Sequence, residues 1–122
     1  MQLQILPQIF AVCQLQSTVQ LDLQMPVYFL SKTAEEISLV CPQADVPAEV
    51  LQCERDWRTL KICGTLDFGL VGILAKISSL LAEAGISIFA ISTYNTDYLL
   101  IKAAYLNKAV DVLSTNGYHI TA

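Results

Sequence analysis

The segment Leu60–Lys102 decides the fold and reads LKICGTLDFGLVGILAKISSLLAEAGISIFAISTYNTDYLLIK. Its pattern predicts a strand, a glycine-containing loop, a helix, a strand, a tight connection and another strand. Within the predicted helix, apolar residues recur at helical spacing on one face: Leu70, Ile73, Leu74, Ile77, Leu80, Leu81 and Ala84. Gly85 stands where a left-handed residue is expected to end the helix.

The residues on either side complete a six-element unit. Trp57–Gly64 is a predicted strand that leads into the loop. After the segment, apolar residues at helical spacing between Leu106 and Leu113 predict a second amphipathic helix, and Tyr118–Ile120 a last short strand. The order βαββαβ predicts an α+β, ferredoxin-like fold, with one antiparallel sheet and both helices on one of its faces.

The first half of the chain is a weak copy of the same order. The copy consists of a strand at 9–15, a hairpin at 27–41 and a short edge strand at 50–53, with 16–25 and 42–49 in place of the helices. A further strand is predicted before it, at 2–6. The charged run Glu54-Arg55-Asp56 is interpreted as a solvated turn and a boundary. The prediction is two tandem units: a degenerate one at 1–55 and a complete one at 56–122.

Composition limits the classes of function. The 122 residues are 54% hydrophobic, with mean hydropathy +0.51 and net charge −4. A small domain with this much apolar surface is expected to form a permanent interface with a second copy of itself and thus a homodimer. Basic clusters are missing, which argues against nucleic acid and anionic membranes as partners. Glutamines and Pro7 interrupt the uncharged first 21 residues, so neither a membrane span nor a signal peptide is expected.

The cysteines and the one histidine do not form a recognisable site. Cys13, Cys41, Cys53 and Cys63 show no CxxC spacing, and only His119 could join them. The favoured interpretation is buried free thiols in a cytoplasmic protein, with a zinc site or disulfide framework less favoured. No nucleophile–base spacing stands out. We therefore expect no catalytic residues, no metal and no cofactor.

Two polar clusters are the candidate binding residues. In the loop Thr65–Gly72, Gly69 allows close approach of a ligand to the backbone, and the following helix start offers free N–H groups to a carboxylate. Asp67 could accept a ligand ammonium group or simply cap the helix. The second cluster, Ile91–Asp97, is rich in hydroxyl and amide groups, which could equally stabilise a tight turn. We expect the two clusters to form one site only where two units meet.

Three motifs together resemble the ACT domain, a small regulatory module that binds amino acids. The start "D-x-x-G-L-V/L" of its helix is similar to the loop at Asp67, Gly69, Leu70 and Val71, where one residue rather than two separates the aspartate from the glycine. The phrase LAEAGISI at 81–88 and the stretch from Ile91 to Asp97 complete the likeness. These motifs resemble the regulatory part of aspartate kinases. The whole chain resembles stand-alone tandem-ACT proteins of bacteria, whose ACT type is shared with cytosolic arginine sensors.

The resemblance implies a non-catalytic amino-acid sensor whose ligand lies at an interface between ACT units, and a regulated enzyme as a possible partner. Its site residues would be Asp67, Phe68, Gly69, Leu70, Val71, Ile91, Ser92, Thr93, Asn95, Thr96 and Asp97. Phe68 departs from the proline common in the family at this place. The alternative is an ACT-fold dimerisation or docking module without a ligand. An acyl-phosphate hydrolase is disfavoured, because loop 65–72 has no arginine.

Overall fold

A computed structural model describes residues 1–19, 21–63 and 71–122. The chain forms two compact units. The C-terminal unit consists of Met1–Pro7 and Arg58–Ala122, and the inserted unit of Gln8–Trp57. In chain order the elements are β1 (Gln2–Ile5), β2 (Phe10–Leu15), β3 (Phe29–Lys32), β4 (Ile37–Pro42), β5 (Gln52–Ile62), α1 (Ile73–Glu83), β6 (Phe89–Ser92), β7 (Asp97–Lys102), α2 (Leu106–Thr115) and β8 (His119–Thr121), with 3-10 turns at Gln43–Asp45 and Ala103–Tyr105.

The sheet of the C-terminal unit incorporates the first strand of the chain. β6 pairs with β7, β7 with β5, β5 with β1, and β1 with β8. β1 is antiparallel to β5, with Leu3 opposite Ile62, and parallel to β8, with Leu3 opposite Ile120. β1 therefore lies between the first and last strands of the predicted βαββαβ unit. The two-unit division of the sequence placed residues 1–7 in the first unit, and the structure places them in the C-terminal one.

Both helices of the C-terminal unit pack on the same set of strand residues, as predicted. Ile77 and Leu81 of α1 and Ala109 and Leu113 of α2 have no exposed surface and share one core cluster. The strands contribute the buried residues Leu3, Leu60, Ile62, Leu99 and Ile101. Apolar residues at helical spacing on α1 and α2 thus meet the alternating apolar residues of the strands. The helix α1 ends at the left-handed Gly85, at φ 77°, also as predicted.

The inserted unit keeps the strand order of a βαββαβ fold, but its described residues, 8–19 and 21–57, form no α-helix. Its strands lie in the order β3-β4-β2-β5, and β2 is antiparallel to both neighbours. Irregular segments replace the helices and cover the core through apolar side chains, among them Leu21, Met25, Val46 and Val50. The architecture is therefore α+β and ferredoxin-like, with a degenerate unit, in agreement with the sequence analysis.

The prediction of a turn at Glu54–Asp56 was wrong. These residues lie inside β5, which also joins the two predicted strands at 50–53 and 57–64 into one. Asp56 is left-handed, at φ 67°, and the pairing register with β2 shifts beside it, which identifies a β-bulge. Gln43 supports the bulge, because its side chain accepts from the Asp56 N–H at 2.8 Å and donates to the Asp56 carboxylate at 3.3 Å. This distant partner makes a left-handed aspartate acceptable within a strand.

Candidate functional site

One end of the C-terminal unit brings together several loops, and we call it the loop end. It comprises the end of β5, the β6–β7 turn, the start of α1 and the α2–β8 turn. Hydrogen bonds tie it to the chain start: Cys63 N–H donates to the Gln2 carbonyl and His119 N–H to the Met1 carbonyl, both at 3.0 Å. The loop that sequence analysis singled out, Thr65–Gly72, begins two residues after Cys63.

The β6–β7 turn is fixed by its own threonines. Thr93 N–H donates to the Thr96 carbonyl at 2.8 Å, and the Thr93 hydroxyl donates to the same oxygen at 3.0 Å. The Thr96 N–H donates in return to the Thr93 hydroxyl at 3.4 Å. At the start and end of the turn, Ser92 lies opposite Asp97 in the register of the two strands. The alternative of turn chemistry therefore accounts for the hydrogen bonds of both threonines.

Thr96 also connects the turn to β5. Its side chain is 3% exposed, and its hydroxyl donates to the Ile62 carbonyl at 2.7 Å. The Thr96 hydroxyl is thus occupied by a hydrogen bond within the protein, and this bond holds the turn beside Ile62 at the end of β5. Within one C-terminal unit the turn therefore lies beside Ile62, three residues before the predicted loop Thr65–Gly72.

The other predicted residues of the turn differ in accessibility. Ser92, Thr93 and Asn95 are exposed to solvent, and Ile91 and Asp97 are half-buried. Tyr94 between them is 80% exposed. The turn therefore presents hydroxyl and amide groups together with an aromatic ring at the surface. A polar ligand or another protein chain can reach these groups.

The start of α1 lies at the same end of the unit. Gly72 immediately precedes the helix and is left-handed, at φ 79°, without a side-chain cap. Its carbonyl accepts from the Lys76 N–H at 2.9 Å, whereas helix geometry leaves the first N–H groups without intrahelical partners. Val71 is 90% exposed. Asp67, Phe68, Gly69 and Leu70, the other predicted residues of this loop, lie outside the described residues.

A cavity of about 320 Å³ lies between the start of α1 and the α2–β8 turn. Its lining includes Val71, Gly72 and Lys76 from the helix start, and Asn116 and Gly117 from the turn. Sequence analysis did not select Lys76 or Asn116. Their only signal was placement, since Lys76 lies one turn into the helix, away from its apolar face, and Asn116 follows the last turn of α2. An ammonium group and free helix N–H groups at one cavity are suited to an anionic group.

Among residues 1–19, 21–63 and 71–122, no three His, Cys, Asp or Glu side chains are grouped to hold a metal ion. No helix in the same residues has the length and apolarity needed to cross a membrane.

Comparison with solved structures shows the same fold in several bacterial proteins. A protein from Agobacterium tumefaciens has 27% identity and a TM-score of 0.85, over 99% of this chain and 92% of that one. A Vibrio cholerae protein of unknown function, described as a possible transport protein, has 21% identity and a TM-score of 0.67, over 93% and 88% of the two chains. The ligand-free regulatory subunit of Thermus thermophilus aspartate kinase has 10% identity and a TM-score of 0.63, over 93% and 95%.

The comparison with sequence families gives the same answer as the fold. None of the curated proteins matches the chain. The sequence profile of the ACT domain matches residues 52–115, more than half of the chain. This region runs from the start of β5 to the end of α2 and includes the helix start and the β6–β7 turn. The chain belongs to the ACT domain family.

Proposed function

We propose that this protein is a non-catalytic, amino-acid-binding regulatory protein of the cytoplasm. The ligand is held at the loop end of the C-terminal unit, where ACT units of two copies meet in a homodimer, and its binding alters a partner enzyme. The observation that supports this best is the 2.7 Å bond from the Thr96 hydroxyl to the Ile62 carbonyl. It holds a surface turn of hydroxyl and amide groups beside Ile62, the last residue of β5, and the ACT resemblance assigns the segment that follows β5 to ligand binding.

The chemistry of the loop end suits a zwitterion. The uncapped start of α1 and Lys76 favour a carboxylate. Asp67 in the neighbouring loop is our choice for the ammonium group, because an ionised carboxylate only accepts hydrogen bonds. Asn95 and Ser92 are exposed and can select among ligand side chains. The sequence shows no nucleophile–base spacing, and one of the similar solved structures is the regulatory subunit of an aspartate kinase.

A second copy is part of the proposal because the loop end is open and apolar in part. Val71 is 90% exposed and Tyr94 is 80% exposed. Contact of such large apolar side chains with water is unfavourable. A dimer that covers these two side chains would remove them from water and close the site over the ligand. Size-exclusion chromatography with light scattering measures the copy number directly.

The test is a thermal-denaturation panel of the standard amino acids. An amino acid at one hundred times its dissociation constant stabilises the folded state by about 2.7 kcal/mol. We expect one amino acid or a small related group to raise the melting temperature, and Asn95→Ala to reduce that rise. The matched control is Asn107→Ala, an exposed asparagine on α2, which should leave the response unchanged.

The same panel distinguishes an amino-acid sensor from an ACT-fold docking module. In that alternative no amino acid stabilises the protein at millimolar concentration, and Asp67→Ala leaves partner binding intact. In a sensor, Asp67→Ala abolishes the amino-acid response while the protein stays folded. A response that Asn95→Ala and Asn107→Ala reduce equally would place the ligand away from the β6–β7 turn.

A further inference from the structure

The inserted unit contains two cysteines that face each other across neighbouring strands. Cys13 of β2 lies directly opposite Cys53 of β5, and their Sγ atoms are 3.2 Å apart. Opposed residues of antiparallel strands have Cα atoms about 4.5–5.5 Å apart, within the range of about 4.4–6.8 Å that disulfides require. Side-chain rotation alone can therefore bring the two sulfur atoms to bonding distance.

We propose that Cys13 and Cys53 form a reversible disulfide when the protein meets a peroxide or a disulfide oxidant. This modification site is independent of the proposed amino-acid function. It links two strands of the inserted unit, and it closes a loop of forty residues. A cross-link between strands already paired constrains the unfolded chain and leaves the folded pairing in place.

The accessibility of the two thiols sets the order of the reaction. Cys53 is half-buried, whereas Cys13 is 2% exposed. Burial, then the hydrogen bond to Cys53, raises the pKa of Cys13 to about 12, so this thiol stays protonated at neutral pH. The oxidant therefore meets Cys53 first, and Cys13 acts as the resolving thiol.

With hydrogen peroxide the atoms balance in two steps. The Cys53 thiolate attacks one peroxide oxygen, the O–O bond breaks, and the hydroxide that leaves takes a proton to give water and a Cys53 sulfenic acid. The Cys13 sulfur then attacks the Cys53 sulfur, the S–O bond breaks, and the departing hydroxide leaves as water with the Cys13 proton. Two thiols and one peroxide thus give one disulfide and two waters.

The other two cysteines provide controls. Cys41 is buried on β4 and lies opposite Ala11 rather than a cysteine. Cys63 belongs to the C-terminal unit, and its sulfur is 3.9 Å from the Lys61 carbonyl, to which it can donate. Cys63→Ser therefore removes a half-buried thiol without touching the pair. Cys53→Ser removes the half-buried member of the pair and is expected to fold.

The experiment is peroxide treatment of the full folded chain, followed by thiol counting and peptide mapping. We expect the free thiols to fall from four to two, reversibly with dithiothreitol, in the wild type, and from three to one in Cys63→Ser. Trypsin with an enzyme that cleaves after glutamate separates Cys41 from Cys53, and the linked fragments should be 1–32 and 50–54. Cys53→Ser should form no internal cross-link.

Two results would overturn the proposal. One is a folded wild type that keeps all four free thiols under oxidant, just as Cys53→Ser keeps all three of its own. The other is a linkage that includes Cys41 or Cys63, or joins two chains, at the frequency seen when the chain is oxidised in guanidinium chloride. The denatured sample supplies the pattern that random pairing gives, so native pairing must differ from it.

Discussion

Replacing Leu3 with alanine tests whether the first strand of the chain is built into the C-terminal unit. Leu3 has no exposed surface and lies in the core with Leu60, Ile62 and Leu113. Leu→Ala substitutions at fully buried positions cost about 2.7–5.0 kcal/mol. Because β1 is a strand of only four residues, part of the cavity can collapse, and we expect a loss of about 3 kcal/mol. For a chain of this length that lowers the melting temperature by roughly 10 °C.

The assay combines denaturant unfolding with amide hydrogen exchange. β1 and the residue before it supply the carbonyl partners of two backbone donors, since Cys63 N–H donates to Gln2 and His119 N–H to Met1. In Leu3→Ala both amides should lose protection, because local opening of β1 exposes them. The matched control is Leu30→Ala on β3, whose leucine is 39% exposed and should cost less than about 1 kcal/mol. If Leu3→Ala cost no more than Leu30→Ala and left both amides protected, β1 would not occupy the position described.

Three further predictions concern the turn, the helix start and the buried thiols. Thr96→Val removes the hydroxyl that donates to the buried Ile62 carbonyl, and it should lower the free energy of unfolding in urea by about 1–3 kcal/mol. The control Thr121→Val loses a longer bond of 3.5 Å and should cost less. Equal losses would contradict the role given to Thr96. In Gly72→Ala the added methyl group has free space, but the residue must keep a φ of +79°. Backbone strain alone should therefore lower the stability measured by thermal unfolding by about 1–2 kcal/mol. An unchanged stability would mean that α1 starts differently. Burial raises the pKa of Cys13 to about 12 and of Cys41 to about 11, from 9.0. The unfolded chain therefore releases these protons at lower pH than the folded one. The contribution of the two thiols to the free energy of unfolding should be fully present below pH 9 and be lost between pH 9 and 12. Cys41→Ala should make this fall in stability with pH shallower, and an unchanged slope would contradict the assignment.

The periodicity of the sequence was sufficient for the C-terminal helices and strands. Apolar residues at helical spacing in 70–84 and 106–113 specified the buried faces of α1 and α2, and Gly85 marked the end of α1. These signals are local, because they depend on spacing within one element. The motif residues of the same region also sufficed to identify the ACT family, which the match to residues 52–115 shows.

The partners of β1 could not be predicted from its pattern. The alternation Gln2-Leu3-Gln4-Ile5 specifies a strand with one buried face, but any sheet edge satisfies it. Only the structure shows that β1 pairs with β5 and β8. Pairing between residues more than fifty positions apart leaves no local signal in a single sequence.

The bulge in β5 and the role of Thr96 were missed for a related reason. Three successive charged residues at 54–56 are typical of a turn, and the side chain that makes the left-handed Asp56 acceptable, Gln43, lies thirteen residues earlier. Thr96 was selected as a ligand contact because it is a hydroxyl in a polar cluster. Its burial and its bond to the Ile62 carbonyl depend on where β7 lies beside β5. The assignment of the whole candidate site to a ligand stays a prediction.

The most direct test of the central claim is an NMR titration of the labelled full chain with amino acids. If the loop end of the C-terminal unit binds the ligand, one amino acid should shift amide signals saturably at Gly72, Ile73 and Thr93–Thr96. The inserted unit offers a comparison, since it has a cavity of about 520 Å³ lined by Gln16, Leu21, Val50 and others. Saturable shifts confined to that cavity, or no shifts at millimolar concentrations of any amino acid, would contradict the claim.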